Sequence, residues 1–186
     1  MRRDLLVITV LGGLSAGASL ALSPNVLGAF GAALALLMLA IAISDLRHFI
    51  VPNVLTAAAF ALALIFAVMF DDVPPVEAVL LALLRAVATA LPLLALMLGY
   101  EWWRGRPGLG MGDVKLAAVA GAWLDWLTIV VAIEVAALMA LAAYAVWRFV
   151  LRRPIAATTP MPFGVFLAPV IWGGWVAETM LAQNHY

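Results

Sequence analysis

Long apolar runs, interrupted at short intervals by a few charged or turn-forming residues, follow one another along the whole chain. Runs long enough to cross the hydrocarbon of a bilayer as helices, about 20 residues each, fall near 5–22, 27–44, 54–70, 77–99, 127–149 and 161–181. A further run at 113–125 is shorter, and as a helix it covers only about 20 Å against a core of roughly 30 Å. The pattern predicts an all-α polytopic membrane bundle of about 6 to 7 transmembrane helices. The length of 113–125 leaves two arrangements open, a full crossing or a tilted packing against its neighbours. Arg2 and Arg3 ahead of the first run resemble a secretory signal, but another apolar run follows at once with no polar region between, so the first is read as a retained span.

Composition agrees with the pattern: 67% of residues are hydrophobic, 11% are charged and mean hydropathy is +1.15, far from the soluble range. A formal net charge of zero and the lack of a long basic cluster argue against nucleic acid as a partner and leave the lipid bilayer. A single integral-membrane domain over 1–186 is the natural arrangement for this length. There is no cysteine, which removes disulfides, thiolate metal sites and a cysteine nucleophile, and only two histidines remain. No metal and no cofactor is expected.

The charges give the helices a direction. With the N-terminus in the cytoplasm, Arg2 and Arg3, Arg47, Arg104, Arg106 and Lys115, and then Arg148, Arg152 and Arg153 all fall on the inner side, as the positive-inside rule requires. Asp71, Asp72, Glu77, Asp125 and Glu178 fall outside. Asp45 and Asp113 then share the cytoplasmic edge, the condition for one joint site.

The surroundings of these two aspartates carry the chemistry. Asp45 ends one run, and Pro52-Asn53 opens the next, with Pro52 breaking the helix and Asn53 suited to cap its successor. Pro24-Asn25-Val26-Leu27 recurs as Pro52-Asn53-Val54-Leu55, and turn-and-cap chemistry explains it better than duplication. Asp113 follows a glycine-rich stretch, Gly108 to Gly112, at the start of a helix. Taken alone it reads as a helix N-cap. With Gly110 and Gly112 allowing close approach of an extended peptide, and Lys115 tuning the charge, the group suits acid–base hydrolysis.

Other polar groups have simpler expectations. Arg85 and Glu134 lie at similar depth inside their spans and are expected to pair across the fourth and sixth helices, since an unpaired charge there costs at least about 3 kcal/mol. The alternative is that Arg85 snorkels. Gly13-Leu14-Ser15-Ala16-Gly17 matches a nucleophile elbow, but His48 and His185 are each about 15 Å away in depth. Small residues for close helix packing explain it better. Tyr100, Trp102 and Trp103 are expected in an interfacial belt, and Asp71-Asp72 as helix-terminal charge.

Asp45 with Pro52-Asn53, then Gly110-x-Gly112-Asp113-x-Lys115, then Pro162-Phe163-Gly164, resemble the three ordered signatures of the type IV prepilin peptidases, Gly-x-Gly-Asp intramembrane aspartyl proteases. Val51 stands where isoleucine is expected. The resemblance implies Asp45 and Asp113 as a catalytic pair, supported by Gly110, Gly112, Lys115, Pro52, Asn53, Pro162, Phe163 and Gly164. It also implies a pilin-like precursor as substrate and the bacterial inner membrane as location. Longer relatives carry a cysteine-containing methyltransferase domain, so peptidase activity without methyl transfer is expected, as in the short forms of tight-adherence (Flp-type) pili. Two other classes compete: a proton-coupled transporter using the acids as a relay, and a non-enzymatic subunit of a pilus or secretion assembly. The sequence does not specify oligomeric state.

Overall fold

The computed structural model describes residues 2–106, 108–150 and 162–184, with side chains from residue 7 onward. Expectations resting on the side chains of Arg2 and Arg3, or on Pro107, Arg152, Arg153, Met161 and His185, lie outside what is described. Every regular element among the described residues is helical: α1 Arg2–Leu22, α2 Val26–His48, α3 Asn53–Phe70, α4 Pro75–Arg104, α5 Met111–Trp123, α6 Trp126–Ala145 with a π turn Val146–Val150, and α7 Gly164–Gln183. Five of them, α2, α3, α4, α6 with its π turn, and α7, are long and apolar enough to cross a membrane. The apolar part of α1, Val7–Leu22, is shorter. The protein is a multi-pass helical membrane bundle.

Helix ends follow from local chemistry. Asn25 caps α2, its side chain accepting the Leu27 N–H at 2.9 Å, as turn-and-cap chemistry at 24–27 anticipates. Pro75 opens α4, where its missing N–H removes no helical bond. Phe49 closes α2 in the left-handed conformation (φ 54°) and donates its N–H to the Asp45 carbonyl at 2.9 Å.

The bundle is built around α5. Its 13 residues are too few to span, and from Asp113 to Trp123 it is buried on nearly every side, so it shows no polar face. Neighbours approach it through small residues. Ala59, Ala63 and Ala67 of α3 and Ala78, Ala82 and Ala86 of α4 recur every fourth residue, one stripe per helix, and all are buried. Without a hydrophobic drive between helices in lipid, such stripes permit the close backbone approach on which packing depends. Gly121 of α5 meets α4 so closely that a methyl there would lie 2.5 Å from the Arg85 carbonyl. Trp123 donates its indole N–H to the Ala59 carbonyl at 2.9 Å, fixing α5 to α3.

The expected Arg85–Glu134 pair does not form. The main neighbours of α4 are α5 and α3, whereas α6 packs on α7, so the two charges share a depth but not a face. Arg85 instead snorkels to the end of the bundle, where it bonds Asp125 at 2.8 Å and lies 4.0 Å from Asp71. Asp71 is thus part of a charge network as well as the C-cap of α3. Glu134 points outward with no ion pair among the described residues. Glu134→Gln should leave the melting temperature in detergent unchanged. Arg85→Gln should lower it by about 2–4 °C, because the largely exposed Asp125 limits the bond to roughly 1 kcal/mol. Equal shifts for both variants would contradict this assignment.

Two further expectations are refined. Gly13 and Gly17 meet nothing within 4 Å, and it is Gly12 that packs, with Leu39 at 3.3 Å from a methyl built there. Trp102 and Trp103 are exposed as a belt requires, Arg104 stacking over Trp103 at 4.6 Å. Tyr100 turns the other way and covers Gly108, in the segment leading to α5.

Candidate active site

Asp45 lies in the last turn of α2, and Asp113 in the first turn of α5. Both face the start of α7. Asp45 Oδ2 accepts the Val165 N–H at 3.1 Å, and the Gly164 amide acts on both carboxylates. The first amides of a helix have no partner within it and carry the positive end of the dipole, so this helix start suits negative charge. Asp45 and Asp113 are 5% and 9% exposed, so the two carboxylates are held out of water together.

Asp113 is not the N-cap that its position in the sequence suggests. Gly110 holds that place, in extended conformation, and Asp113 stands three residues into α5. Its N–H donates to the Gly110 carbonyl at 3.1 Å, while its carboxylate interacts with the Gly110 amide, as the third residue of a capping box does. Lying on a helix that is not among the five membrane-length ones, Asp113 is pushed up to about 6 by burial first and by the charge of Asp45 second. The amides of Gly110 and Gly164 partly offset this. Two carboxylates placed so near each other do not both ionise cheaply, and they titrate as a pair.

Close packing at two glycines joins the three motifs. A methyl at Gly112 would lie 2.8 Å from Val51 Cγ2, and one at Gly164 would lie 2.8 Å from Asp45 Oδ2 and 3.4 Å from the same Val51 carbon. Val51, 8% exposed, is therefore the wedge between the start of α5 and the start of α7. Sequence reasoning gave it no role, treating it as a neutral departure from isoleucine. The available signal was its position, an apolar residue before Pro-Asn in an otherwise exposed turn. The amide donors of Gly164 and Val165 were likewise missed, because backbone groups carry no mark in a sequence.

The supporting residues are placed as follows. Asn53 is not an N-cap: Pro52 occupies that position without a side-chain capping bond, and Asn53 Oδ1 accepts a 2.8 Å bond from Lys115 Nζ. Lys115 thus ties α5 to α3, and among the described residues it makes no bond to Asp113. A double-mutant cycle on Asn53→Ala and Lys115→Ala should return a coupling of about 1 kcal/mol in stability. Additive losses would show that the bond contributes nothing. Pro162 is buried and Phe163 stands at the cap of α7, half-buried against the core. Ser15 spends its hydroxyl on its own helix, bonding the Leu11 carbonyl at 2.9 Å, which leaves the nucleophile-elbow reading without support.

Fold and site together define a polytopic helical membrane protein with two buried carboxylates paired at one end of the bundle. A model of the type IV leader peptidase family matches residues 32–146, and the chain belongs to that family. It is 34% identical over 164 residues to the prepilin leader peptidase/N-methyltransferase of Pectobacterium carotovorum subsp. carotovorum, covering 87% of this chain and 55% of the relative. The protein of the same name from Burkholderia pseudomallei (strain K96243) is 36% identical over 162 residues, covering 84% and 49%. That of Aeromonas salmonicida is 31% identical over 140 residues, covering 75% and 45%. The chain spans about half the length of these curated relatives. No solved structure matches it significantly.

Proposed function

We propose that this chain is an aspartic endopeptidase of the bacterial inner membrane that removes the leader of prepilin-like precursors. Residues 1–186 act as one integral-membrane domain, with Asp45 and Asp113 as the catalytic pair. The observation that carries the reading is the meeting of two carboxylates from separate helices at the first amides of a third. Placement at helix ends suits hydrolysis at the membrane edge better than a proton relay, which needs acids near the midplane.

In the reaction, one carboxylate takes a proton from water as the oxygen attacks the scissile carbonyl, and the protonated partner donates a hydrogen bond to that carbonyl oxygen. Collapse of the tetrahedral species breaks the C–N bond, the departing amine takes a proton, and the pair returns to its singly protonated state. Pro52, Asn53, Gly110, Gly112, Lys115, Pro162, Phe163 and Gly164 hold the geometry. The basic residues Arg47, Arg104, Arg106, Lys115 and Arg148 support a cytoplasmic position for the pair by the positive-inside rule. There a polar leader stays in water while the hydrophobic helix that follows it lies in lipid. Co-expression with a prepilin-like substrate tests the reading: leader removal should appear with the wild type and vanish with Asp45→Asn. No processing of any prepilin-type leader by the wild type would overturn it.

A further inference from the structure

Ser15, Ser19, Thr56, Thr89 and Thr179 turn their hydroxyls back along the chain, each donating to the carbonyl four residues earlier at 2.7 to 3.2 Å. That is the usual resort of a hydroxyl within a helix, and it ties down nothing else. Ser44, the residue before Asp45, does not follow them. Its hydroxyl reaches forward out of α2 and donates to the Ile50 carbonyl at 2.8 Å, across the turn that leads to α3.

The bond lies where the chain needs holding. Phe49 begins the reversal in the left-handed region (φ 54°, ψ 34°), which is costly for a residue other than glycine and persists only where the surroundings enforce it. The Phe49 and Ile50 side chains are both exposed, so packing does little to fix the turn, and the bonds from Phe49 N–H to the Asp45 carbonyl and from Ser44 to Ile50 do more. The Ile50 carbonyl and the Val51 nitrogen belong to one planar peptide unit. Fixing that carbonyl therefore fixes the direction in which Val51 leaves the turn. Its side chain goes into the gap between Gly112, beside Asp113, and Gly164, beside the Val165 amide that Asp45 accepts.

We infer that Ser44 is a positioning residue for the Asp45–Asp113 pair and acts through the Ile50–Val51 peptide. Held by Ser44, Val51 keeps the start of α5, which carries Asp113, at a set spacing from the start of α7, which holds Asp45. Without the hydroxyl the Ile50 carbonyl loses its partner, Val51 is no longer aimed into the gap, and the two carboxylates drift out of register. Ser44 itself touches neither carboxylate in any bond among the described residues. The catalytic consequence rests on the peptidase reading proposed above; the geometric one does not.

The test compares Ser44→Ala, Ser44→Thr and Val51→Ala with the wild type, each as the full chain in mild detergent. Ser15→Ala is the control, since that hydroxyl bonds only its own helix. Steady-state cleavage of a prepilin-like substrate gives kcat and KM for folded protein, and amide hydrogen exchange at the start of α7 reports on Val165 without any need for cleavage. Ser44→Ala and Val51→Ala should lower kcat on the order of tenfold with KM nearly unchanged. Both should also speed exchange at the start of α7, because the Val165 amide loses a steady acceptor. Ser44→Thr keeps the hydroxyl and should restore kcat and exchange together, while Ser15→Ala should alter neither. Wild-type kcat and exchange in Ser44→Ala, or a Ser44→Thr protein as impaired as Ser44→Ala, overturns the inference and leaves the peptidase reading standing. A wild type that cleaves no leader removes that reading alone, and the exchange comparison then decides on Ser44. Should Val51→Ala fail to fold, the Ser44 pair decides.

Discussion

Asp113→Asn is expected to reduce leader cleavage by on the order of 100- to 10,000-fold, and at the same time to make the protein more stable at neutral pH. The first effect follows from the loss of one member of the acid–base pair. The second follows from linkage. The Asp113 carboxyl is raised from 3.8 to about 6 in the folded protein, so between those values the folded state binds more protons than the unfolded one. Stability therefore falls as pH rises through that window, and above it the full penalty of holding a buried charge beside Asp45 is present. Its upper bound is roughly 3 kcal/mol. Asparagine never ionises and escapes the penalty, so the melting temperature of the variant should exceed that of the wild type at pH 7, and the gain should disappear near pH 4. A variant that cleaves at the normal rate contradicts the catalytic assignment. One whose stability gain is the same at both pH values contradicts the electrostatic account while leaving catalysis untouched.

Gly164→Ala is expected to be nearly as damaging to cleavage, by steric means. The added methyl would lie 2.8 Å from Asp45 Oδ2, closer than real Cβ atoms come, and 3.2 Å from its Cγ. Asp45 must swing away, losing the Val165 N–H and its alignment with Asp113. Misplacement of a catalytic group by about 1 Å is enough for a loss of about 100-fold. Gly173→Ala on the same helix is the control, since nothing lies within 4 Å of a methyl there. The decisive reading is the fall in kcat for correctly folded protein. If Gly164→Ala and Gly173→Ala cleave equally well, the close contact at Asp45 has no catalytic weight.

Much of this was legible from residue order. The apolar runs located every helix because the requirement for a self-satisfied backbone in lipid leaves helices as the solution for such runs. The short run at 113–125 left crossing and packing open, and the bundle decides between them, with α5 as its buried centre. Asp45, Asp113 and Gly164 could be picked out because charged residues and turn glycines stand apart from aliphatic neighbours. The failures share one cause. Arg85 and Glu134 were matched by depth, Asn53 and Asp113 by proximity to a helix start, and Gly13 and Gly17 by size. In each case the partner depends on which face of which helix lies opposite.

The sequence by itself determined the solvent, the helices and the few polar residues fit for chemistry, since apolar length and charge placement act locally along the chain. Tertiary structure alone decided the partners: Val51 wedged between two glycines, Asp45 and Asp113 gathered at the first amides of α7, and Arg85 drawn to Asp125 instead of Glu134. Those outcomes rest on helix rotation and on contacts between residues far apart in the chain, which only the packed bundle fixes.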